Sequence, residues 1–271
     1  MNHDATPLAP PSLADLRFQY QPVAPLRGDE VGWHEALVRW HLPDGTIRGP
    51  LEILPYWLAP QRQATFTRYT IEQAAARLQA GDDVRLSVNL SPRQLTHPST
   101  TGVFEDLQPH LRERLIVELT EQRYRDVAAL RASLSSLAER CRLVLLDDVT
   151  VEDLARGARD GVPVDGVKLD RSVLAALLDA DRRADTGMRI RYATERYPIV
   201  VAEGVEDPAV ADALAELGVT HVQGFGLGRP APNPGVPPVA ILPRGAAATG
   251  TRERHRPGDA NAPAGTTSSV P

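Results

Sequence analysis

The sequence has little that would place it in a membrane or in an oxidising compartment. Cys141 is the single cysteine among 271 residues, so no disulfide can form within the chain. No apolar run approaches the roughly 20 residues that are needed to cross a bilayer. Residues 1–11 lack the basic and apolar regions of a secretory signal. We therefore expect a cytoplasmic protein without a membrane anchor.

Positive charge and clustered histidines are also scarce. The formal net charge is −5, which argues against broad, charge-driven binding to DNA or to an anionic membrane. A small anionic ligand stays compatible with this charge if a few cations are placed near it. The seven histidines are scattered without metal-ligand spacing. We interpret His34 and His221 as packing or surface residues.

The remaining composition is that of one folded domain with two weakly structured ends. Hydrophobic residues make up 42% and charged residues 24% of the chain, which is typical of a soluble globular protein. Residues 1–12 and 237–271 are rich in small residues and proline, and we predict both to be disordered. Residues 13–236 then form one domain, close to the roughly 250 residues of an α/β barrel.

Short apolar runs alternate with helical patterns through this domain. Eight runs have the length of strands and are too apolar to be exposed on either face: Phe18–Ala24, Val31–Trp40, Val84–Leu90, Leu115–Thr120, Leu143–Val149, Gly166–Leu169, Ile199–Val205 and His221–Phe225. The clearest helical patterns are Thr67–Gln79, Asp126–Arg140 and Ala209–Leu217. Alternation of this kind predicts parallel strands. Eight strands favour a closed (β/α)8 barrel, with an open doubly wound sheet as the alternative.

Polar residues lie near the end of nearly every predicted strand. They are mostly carboxylates, with two amides and one lysine: Glu35, Asn89, Glu118, Asp147, Asp148, Lys168, Glu203 and Gln223. Each of them alone could be a helix cap or a surface charge. Because active sites of such barrels lie at the carboxyl ends of the strands, we expect these side chains to meet at one mouth.

Several carboxylates at one mouth would repel one another unless cations lie between them. Oxygen ligands without histidine or cysteine favour hard ions, Mg²⁺ or Mn²⁺, over zinc. More carboxylates are present than one ion needs, so we expect two ions. A pair of metal ions suits the hydrolysis of a phosphate ester. Asp170 and Arg171, next to this set, could be a simple ion pair of small energetic value.

The ordered series of motifs resembles the EAL domain family of bacterial cyclic di-GMP phosphodiesterases. The similarity runs from about Leu13 to Pro232, and the motifs that carry it are Tyr20–Val23, Glu35–Trp40, Asn89–Pro92, Glu118–Glu121, Asp147–Asp148, Lys168–Arg171, Glu203–Glu206 and Gln223–Phe225. A lone Glu-Ala-Leu tripeptide would carry no information, but the ordered set is specific. The resemblance implies a TIM-like barrel of the EAL type with one antiparallel strand, and hydrolysis of cyclic di-GMP to linear pGpG.

The resemblance also implies roles for single residues. The first metal ion would be bound by Glu35, Asn89, Glu118, Asp147 and Glu203. Asp148 would bind the second ion with Asp170 as a helper, and Lys168 would orient or deprotonate the attacking water.

The other implied roles concern the substrate and the support of the site. Glu206 and Gln223 would support it, which makes Lys168, Glu35 and Glu206 the expected catalytic residues. Arg39 would hold a phosphate oxygen, and Gln21 and Gln223 would contact the ligand. The expected partners are cyclic di-GMP and a second copy of the chain.

One segment departs from the family pattern. The family usually continues Phe-Gly-Thr-Gly after the paired aspartates, whereas this chain has Val149–Asp153, without glycine. That loop in the family orders the second metal ion and the dimer contact, and Glu121 is the residue that usually steadies it. Two interpretations stay open: a phosphodiesterase with a rebuilt loop, or a catalytically impaired domain that serves as a cyclic di-GMP receptor or a protein-interaction module.

Overall fold

The computed structural model describes residues 10–28, 31–81, 83–120, 126–155, 162–236 and 238–242. These residues form nine strands: β1 (Leu16–Pro25), β2 (Trp33–His41), β3 (Ile47–Arg48), β4 (Leu86–Leu90), β5 (Leu115–Leu119), β6 (Leu143–Val149), β7 (Gly166–Leu169), β8 (Ile199–Ala202) and β9 (His221–Gln223). They also form ten α-helices: α1 (Pro50–Trp57), α2 (Gln63–Gln79), α3 (Pro92–Leu95), α4 (Pro98–Glu105), α5 (Pro109–Arg112), α6 (Val127–Ala138), α7 (Val151–Ala155), α8 (Arg171–Leu178), α9 (Arg183–Arg196) and α10 (Ala211–Glu216). Short 3₁₀ helices span Leu13–Asp15 and Pro208–Val210.

Eight of the strands close into a barrel. The order is β1-β9-β8-β7-β6-β5-β4-β2, and pairing of β1 with β2 completes the ring. β1 is antiparallel to both of its neighbours, while the other pairings around the ring are parallel. β3 is an extra strand that pairs with the end of β2. The prediction of a closed barrel with one reversed strand is confirmed, and the open-sheet alternative is wrong.

The eight predicted strands are all present, with ends shifted by a few residues. The eighth predicted strand is shorter than expected because the chain turns at Gly224. Helix α2 begins at Gln63 rather than Thr67, and α6 covers most of its predicted range. No helix among the described residues is long and apolar enough to span a bilayer.

Helices cover the outside of the barrel and bury its outward-facing side chains. Along β4, Leu86, Val88 and Leu90 point outward and pack in the main hydrophobic core. Helix α2 contributes Ile71 and Leu78 to the same core, and both side chains are fully buried. The period-2 alternation of the strands therefore leaves the other set of side chains, Ser87 and Asn89 in β4, to face the barrel axis.

The side chains that face the axis form two layers of different chemistry. The apolar layer fills the lower part of the barrel and consists of Val23, Trp33, Ile116, Leu143, Leu145 and Val201. The polar layer lies at the mouth, further along the strands, and consists of Glu35, Asn89, Glu118, Asp147, Lys168, Glu203 and Gln223. Side chains two residues apart on a strand lie on one face, and at β2, β5, β6 and β8 an apolar-layer residue is followed two residues later by a carboxylate of the polar layer.

The polypeptide beyond the last strand returns along the barrel. Tyr20 and Ala231 exchange two backbone hydrogen bonds, and Ile241 and Leu242 donate backbone hydrogen bonds to Pro25 and Leu26. The domain limits of 13 and 236 stay predictions. Residues 1–9 and 243–271, which make up most of the two predicted disordered ends, lie outside the described residues.

Candidate functional site

The ammonium group of Lys168 lies in the middle of the polar layer. Its Nζ atom is 2.6 Å from Glu203 Oε1, 3.0 Å from Glu118 Oε2, 3.0 Å from Asp147 Oδ1 and 3.4 Å from Glu35 Oε2. The lysine side chain is 1% exposed, so these contacts are shielded from solvent. Four strands, β2, β5, β6 and β8, thus direct one carboxylate each at the lysine of β7.

Glu35 is held by amides as well as by the lysine. Asn89 Nδ2 donates a hydrogen bond to Glu35 Oε1 at 2.6 Å, and Gln223 Nε2 donates one to Glu35 Oε2 at 2.7 Å. Burial opposes the charge of Glu35, but the lysine and these two donors outweigh it and lower the pKa of the carboxyl. Glu35 is therefore an ionised carboxylate in a fixed orientation.

Three nearby carboxyl groups, those of Glu118, Glu203 and Asp148, are harder to ionise. Burial, and next the charge of Glu35, raise the pKa of Glu118 well above its ordinary value. Burial raises the pKa of Glu203 to about 7 against the opposing effect of Lys168. For Asp148, burial and the adjacent Asp147 raise the pKa to about 6. One lysine is thus too little positive charge for this cluster.

Lys168 itself stays protonated. Burial alone would lower the pKa of its ammonium group, but the charges of Asp147, Glu118, Glu203 and Glu35 together raise it well above the ordinary value. A buried ammonium group with several carboxylate partners is strongly favoured over the neutral amine. The lysine is therefore a hydrogen-bond donor at the centre of the site.

Part of the cluster has the arrangement of a cation site. Asp147, Asp148 and Glu203 each offer a carboxylate oxygen, and these oxygens lie within 4.8 Å of one another. Glu118 Oε1 is buried and has no hydrogen-bond partner among the described residues. An orphaned carboxylate oxygen and an excess of acid fit a hard divalent cation, which prefers oxygen ligands. The residues present therefore fit a metal ion.

The segment after the paired aspartates is rebuilt without glycine. Asp148 itself adopts the left-handed conformation, with φ of 54°, where the register between β6 and β7 shifts. Thr150 then begins α7: its backbone N–H and Oγ1 donate to Asp153 Oδ2, and Asp153 N–H donates to Thr150 Oγ1. Aspartate tolerates the left-handed region better than most residues. A helix cap thus follows the bulge in place of the family's glycine-containing turn.

A cavity of about 900 Å³ opens above the polar layer. Its lining includes nine of the predicted site residues, namely Gln21, Glu35, Asp147, Asp148, Lys168, Asp170, Glu203, Glu206 and Gln223. Glu206 is exposed at the rim. Asp170 Oδ1 accepts a hydrogen bond from Ser172 N–H and caps α8, and no ion pair joins Asp170 to Arg171 within the described structure.

One predicted site residue of the described chain, Arg39, stands apart from this group. Arg39 is half-buried, and its guanidinium donates to Gln19 Oε1 at 3.1 Å and to the Val38 carbonyl at 2.9 Å. It follows Glu35 by four residues on the inward face of β2, further out than the carboxylates. Glu121 lies outside the described residues. Asn89 and Glu118 are present in the polar layer and help to hold its centre.

The two histidines lie at the opposite end of the barrel. His34 and His221 are buried, and the His221 ring packs on Trp33 with centroids 4.6 Å apart. Burial lowers the pKa of each imidazole to about 4. The interpretation of these histidines as packing residues agrees with their place beside the apolar layer.

Sequence reasoning did not assign Arg171 or Phe225 to the site, although both line the cavity. Phe225 is 52% exposed, and the Arg229 guanidinium lies 4.3 Å from its ring centroid. Both residues belong to motifs that the sequence analysis quoted. Their position next to Asp170 and Gln223 at strand ends was the signal that could have identified them.

The fold and the site together define an α/β barrel with an acidic mouth. The sequence profile of the EAL domain matches residues 9–230, and the chain belongs to the EAL domain family. The resemblance inferred from the motifs is thereby confirmed.

Named relatives and solved structures are similar at moderate identity. The bifunctional diguanylate cyclase/cyclic di-GMP phosphodiesterase MucR of Pseudomonas aeruginosa is 29% identical over 227 residues, which cover 80% of this chain and 33% of the relative. The probable cyclic di-GMP phosphodiesterase PdeB of Escherichia coli is 25% identical over 218 residues, which cover 78% of this chain and 42% of the relative. The chain thus spans less than half the length of each relative. The structure named PaMucR Phosphodiesterase, c-di-GMP complex, superposes with a TM-score of 0.62 at 28% identity, covering 81% of this chain and 93% of that one.

Proposed function

We propose that this chain hydrolyses cyclic di-GMP to linear pGpG in bacterial second-messenger signalling in the cytoplasm. The observation that carries the proposal is the convergence of acidic groups from different strands around Lys168 at the floor of one cavity. The cavity volume of about 900 Å³ lies within the range that ligand sites of drug size usually have. Relatives named as cyclic di-GMP phosphodiesterases support the choice of substrate.

The cofactor that we propose is a pair of Mg²⁺ or Mn²⁺ ions. Glu35, Asn89, Glu118, Asp147 and Glu203 would hold the first ion, and Asp148 with the help of Asp170 would hold the second. When bound, such ions lower the pKa of a coordinated water and stabilise charge on the leaving oxygen.

Lys168 would orient the attacking water rather than deprotonate it. Its ammonium group is protonated and donates to several carboxylates at once, so it can donate to a water but cannot accept a proton. Gln223 donates a hydrogen bond to one oxygen of Glu35, and this contact favours the proposal that Gln223 helps to hold the site. Gln21 and Gln223 line the cavity where the ligand would lie, and Glu206 is at its rim.

The direct test is incubation of the purified protein with cyclic di-GMP and either Mg²⁺ or Mn²⁺, with chromatography of the products. We expect pGpG, no product with EDTA, and no product from Glu35→Ala. Glu72→Ala is the matched control, because Glu72 is an exposed residue of α2 in a surface ion pair, and it should keep full activity. Undiminished turnover by Glu35→Ala would contradict the proposal.

A second function has one specific observation in its favour. The segment Val149–Asp153 differs from the family loop, and Asp148, the proposed ligand of the second ion, lies at its start. If this segment misplaces Asp148, the domain would bind cyclic di-GMP as a receptor without cleaving it, or serve as an interaction module. Binding without product in both metals would identify the receptor, and absence of binding would leave the interaction module, for which a homodimer is the expected assembly.

A further inference from the structure

The cavity is a poor environment for an anionic ligand. Its described lining includes seven carboxylates, contributed by Glu35, Asp147, Asp148, Asp170, Glu203, Glu206 and Asp207, but only the cations Lys168 and Arg171. A phosphate group that enters such a mouth is repelled unless cations lie beside it. Metal ions bound by the carboxylates would offset part of this charge at the floor. The upper part of the cavity needs cations of its own.

Lys168 cannot supply this charge. Its Nζ atom has four carboxylate partners within 3.4 Å, and the side chain is buried beneath the floor. Arg171 differs in both respects. It is exposed, and within the described part of the chain it has no ion pair or side-chain hydrogen bond.

The stem of Arg171 is nevertheless fixed in place. Arg171 is the first residue of α8, which Asp170 caps. Gly204, with φ of 74°, lies directly against it: a Cβ added to Gly204 would lie 2.6 Å from Arg171 Cβ. The close approach ties Arg171 to the residue that follows Glu203, a member of the candidate cation site. Arg171 is therefore an exposed cation at the cavity wall whose Cβ is fixed by close packing.

Arg171 lines the cavity, whereas Arg39 does not, and the two arginines belong to opposite sides of the ring of strands. Arg39 belongs to β2, and Arg171 follows β7 directly. In the ring of eight strands, four steps separate β2 from β7 in either direction. The two arginines are thus placed across the barrel axis from each other.

We infer that Arg171 binds one of the two phosphates of the cyclic dinucleotide while Arg39 binds the other. A cyclic dinucleotide carries its phosphates on opposite sides of one ring, which matches cations on opposite sides of one mouth. A guanidinium binds phosphate oxygens through parallel hydrogen bonds. The inference rests on the proposed function, from which it takes the identity of the ligand. It adds Arg171 as a further residue that binds this ligand.

The test is a measurement of the affinity for cyclic di-GMP by titration calorimetry. The buffer contains Ca²⁺, and product formation is monitored in the same samples. Loss of a hydrogen bond to a charged group costs about 1.5–3 kcal/mol, so Arg171→Ala should weaken binding about 10-fold to 100-fold. Arg171→Lys should recover part of the affinity, because it keeps the charge but not the planar donor pair. Arg171→Ala should also make the dissociation constant less sensitive to salt.

Arg182→Ala is the matched control. Arg182 is an exposed arginine at the start of α9 that does not line the cavity, so its loss should leave affinity unchanged. The affinity of the double variant Arg39→Ala/Arg171→Ala should fall by the product of the factors measured for the two single variants, because distant sites act independently. Thermal unfolding of each variant checks that it folds.

The outcomes distinguish failure of the role of Arg171 from failure of the proposed function. Binding by the unchanged protein together with equal binding by Arg171→Ala would overturn the role of Arg171 and leave the proposed function in place. Failure of the unchanged protein to bind cyclic di-GMP would overturn the proposed function and this inference with it.

Discussion

The apolar layer and the polar layer of the barrel lie two residues apart along the chain at four strands, β2, β5, β6 and β8. β5 contributes Ile116 below and Glu118 above, and β8 contributes Val201 below and Glu203 above. The lower side chains stabilise the barrel because their burial removes apolar surface from water. The upper ones cost stability, since burial of like charges is unfavourable. Stability and the capacity to bind cations are thus separated along the barrel axis.

We expect the largest effect on the free energy of unfolding when the lysine of the polar layer is removed. Lys168→Met leaves four carboxylates without their shared cation, and removal of one partner of a buried pair costs about 3–5 kcal/mol. We expect this loss of unfolding free energy in urea at pH 7.5 with EDTA. Divalent cations should restore much of it, because they replace the missing charge.

Leu145→Ala is the matched change in the apolar layer. Leu145 is fully buried, and truncation to alanine typically costs about 2–5 kcal/mol. The same loss should be seen with EDTA and with Mn²⁺, and turnover per folded molecule should be unchanged. If the stability of Lys168→Met also proved insensitive to divalent cations, the separation of the two layers would be refuted.

The two layers should respond to pH in opposite directions. Glu203 has a raised pKa of about 7, so its folded form keeps a proton that the unfolded form releases between pH 4.5 and 7. Stability from this group is therefore lost as pH rises through that window. His221 has a lowered pKa of about 4, so the unfolded form takes up a proton first as pH falls from 6.5 to 4, and stability is lost in that direction.

Urea unfolding from pH 4 to 8 in EDTA would measure both effects. Glu203→Gln should remove a loss of roughly 3 kcal/mol at high pH, and His221→Phe should remove the loss at low pH. Divalent cations should cancel only the high-pH effect. A Glu203→Gln curve parallel to that of the unchanged protein would show that Glu203 ionises normally.

The smallest effect concerns the backbone at Asp148. Asp148→Ala places an alanine in the left-handed region and should cost about 1 kcal/mol of stability, while Asp148→Asn should cost less because asparagine adopts this conformation readily. Both variants remove the carboxylate and should weaken binding of a second Mn²⁺ ion. Equal stability of the two variants would show that the bulge is not strained.

Much of the barrel could be predicted from sequence because buried parallel strands are nearly continuous apolar runs. The polar residues at the ends of these runs also predicted the site at the mouth, because the carboxyl ends of barrel strands surround one opening. The reversal of β1 came only from the family resemblance. In the structure the reversal is visible in the order of residues along the strand. On β1 the cavity residue Gln21 precedes the apolar-layer residue Val23, whereas at β2, β5, β6 and β8 the apolar-layer residue comes first.

Other features depend on contacts that no local pattern records. The central place of Lys168 among four carboxylates requires strands far apart in sequence to converge. Asp148 adopts a conformation that residue type permits but does not require. A simple ion pair was one possibility for Asp170 and Arg171, whereas in the structure Asp170 caps α8 and Arg171 lines the cavity.

Strand β9 joins the ring through a short seam. It has three residue pairs with β1 and two with β8, whereas β1 and β2 share eight. Local opening begins where few backbone hydrogen bonds must break, so amide hydrogen exchange should be fastest in the ring at this strand. Gln223 belongs to β9 and holds Glu35. A transient opening of the seam would therefore release the amide clamp on Glu35 while most of the barrel stays closed.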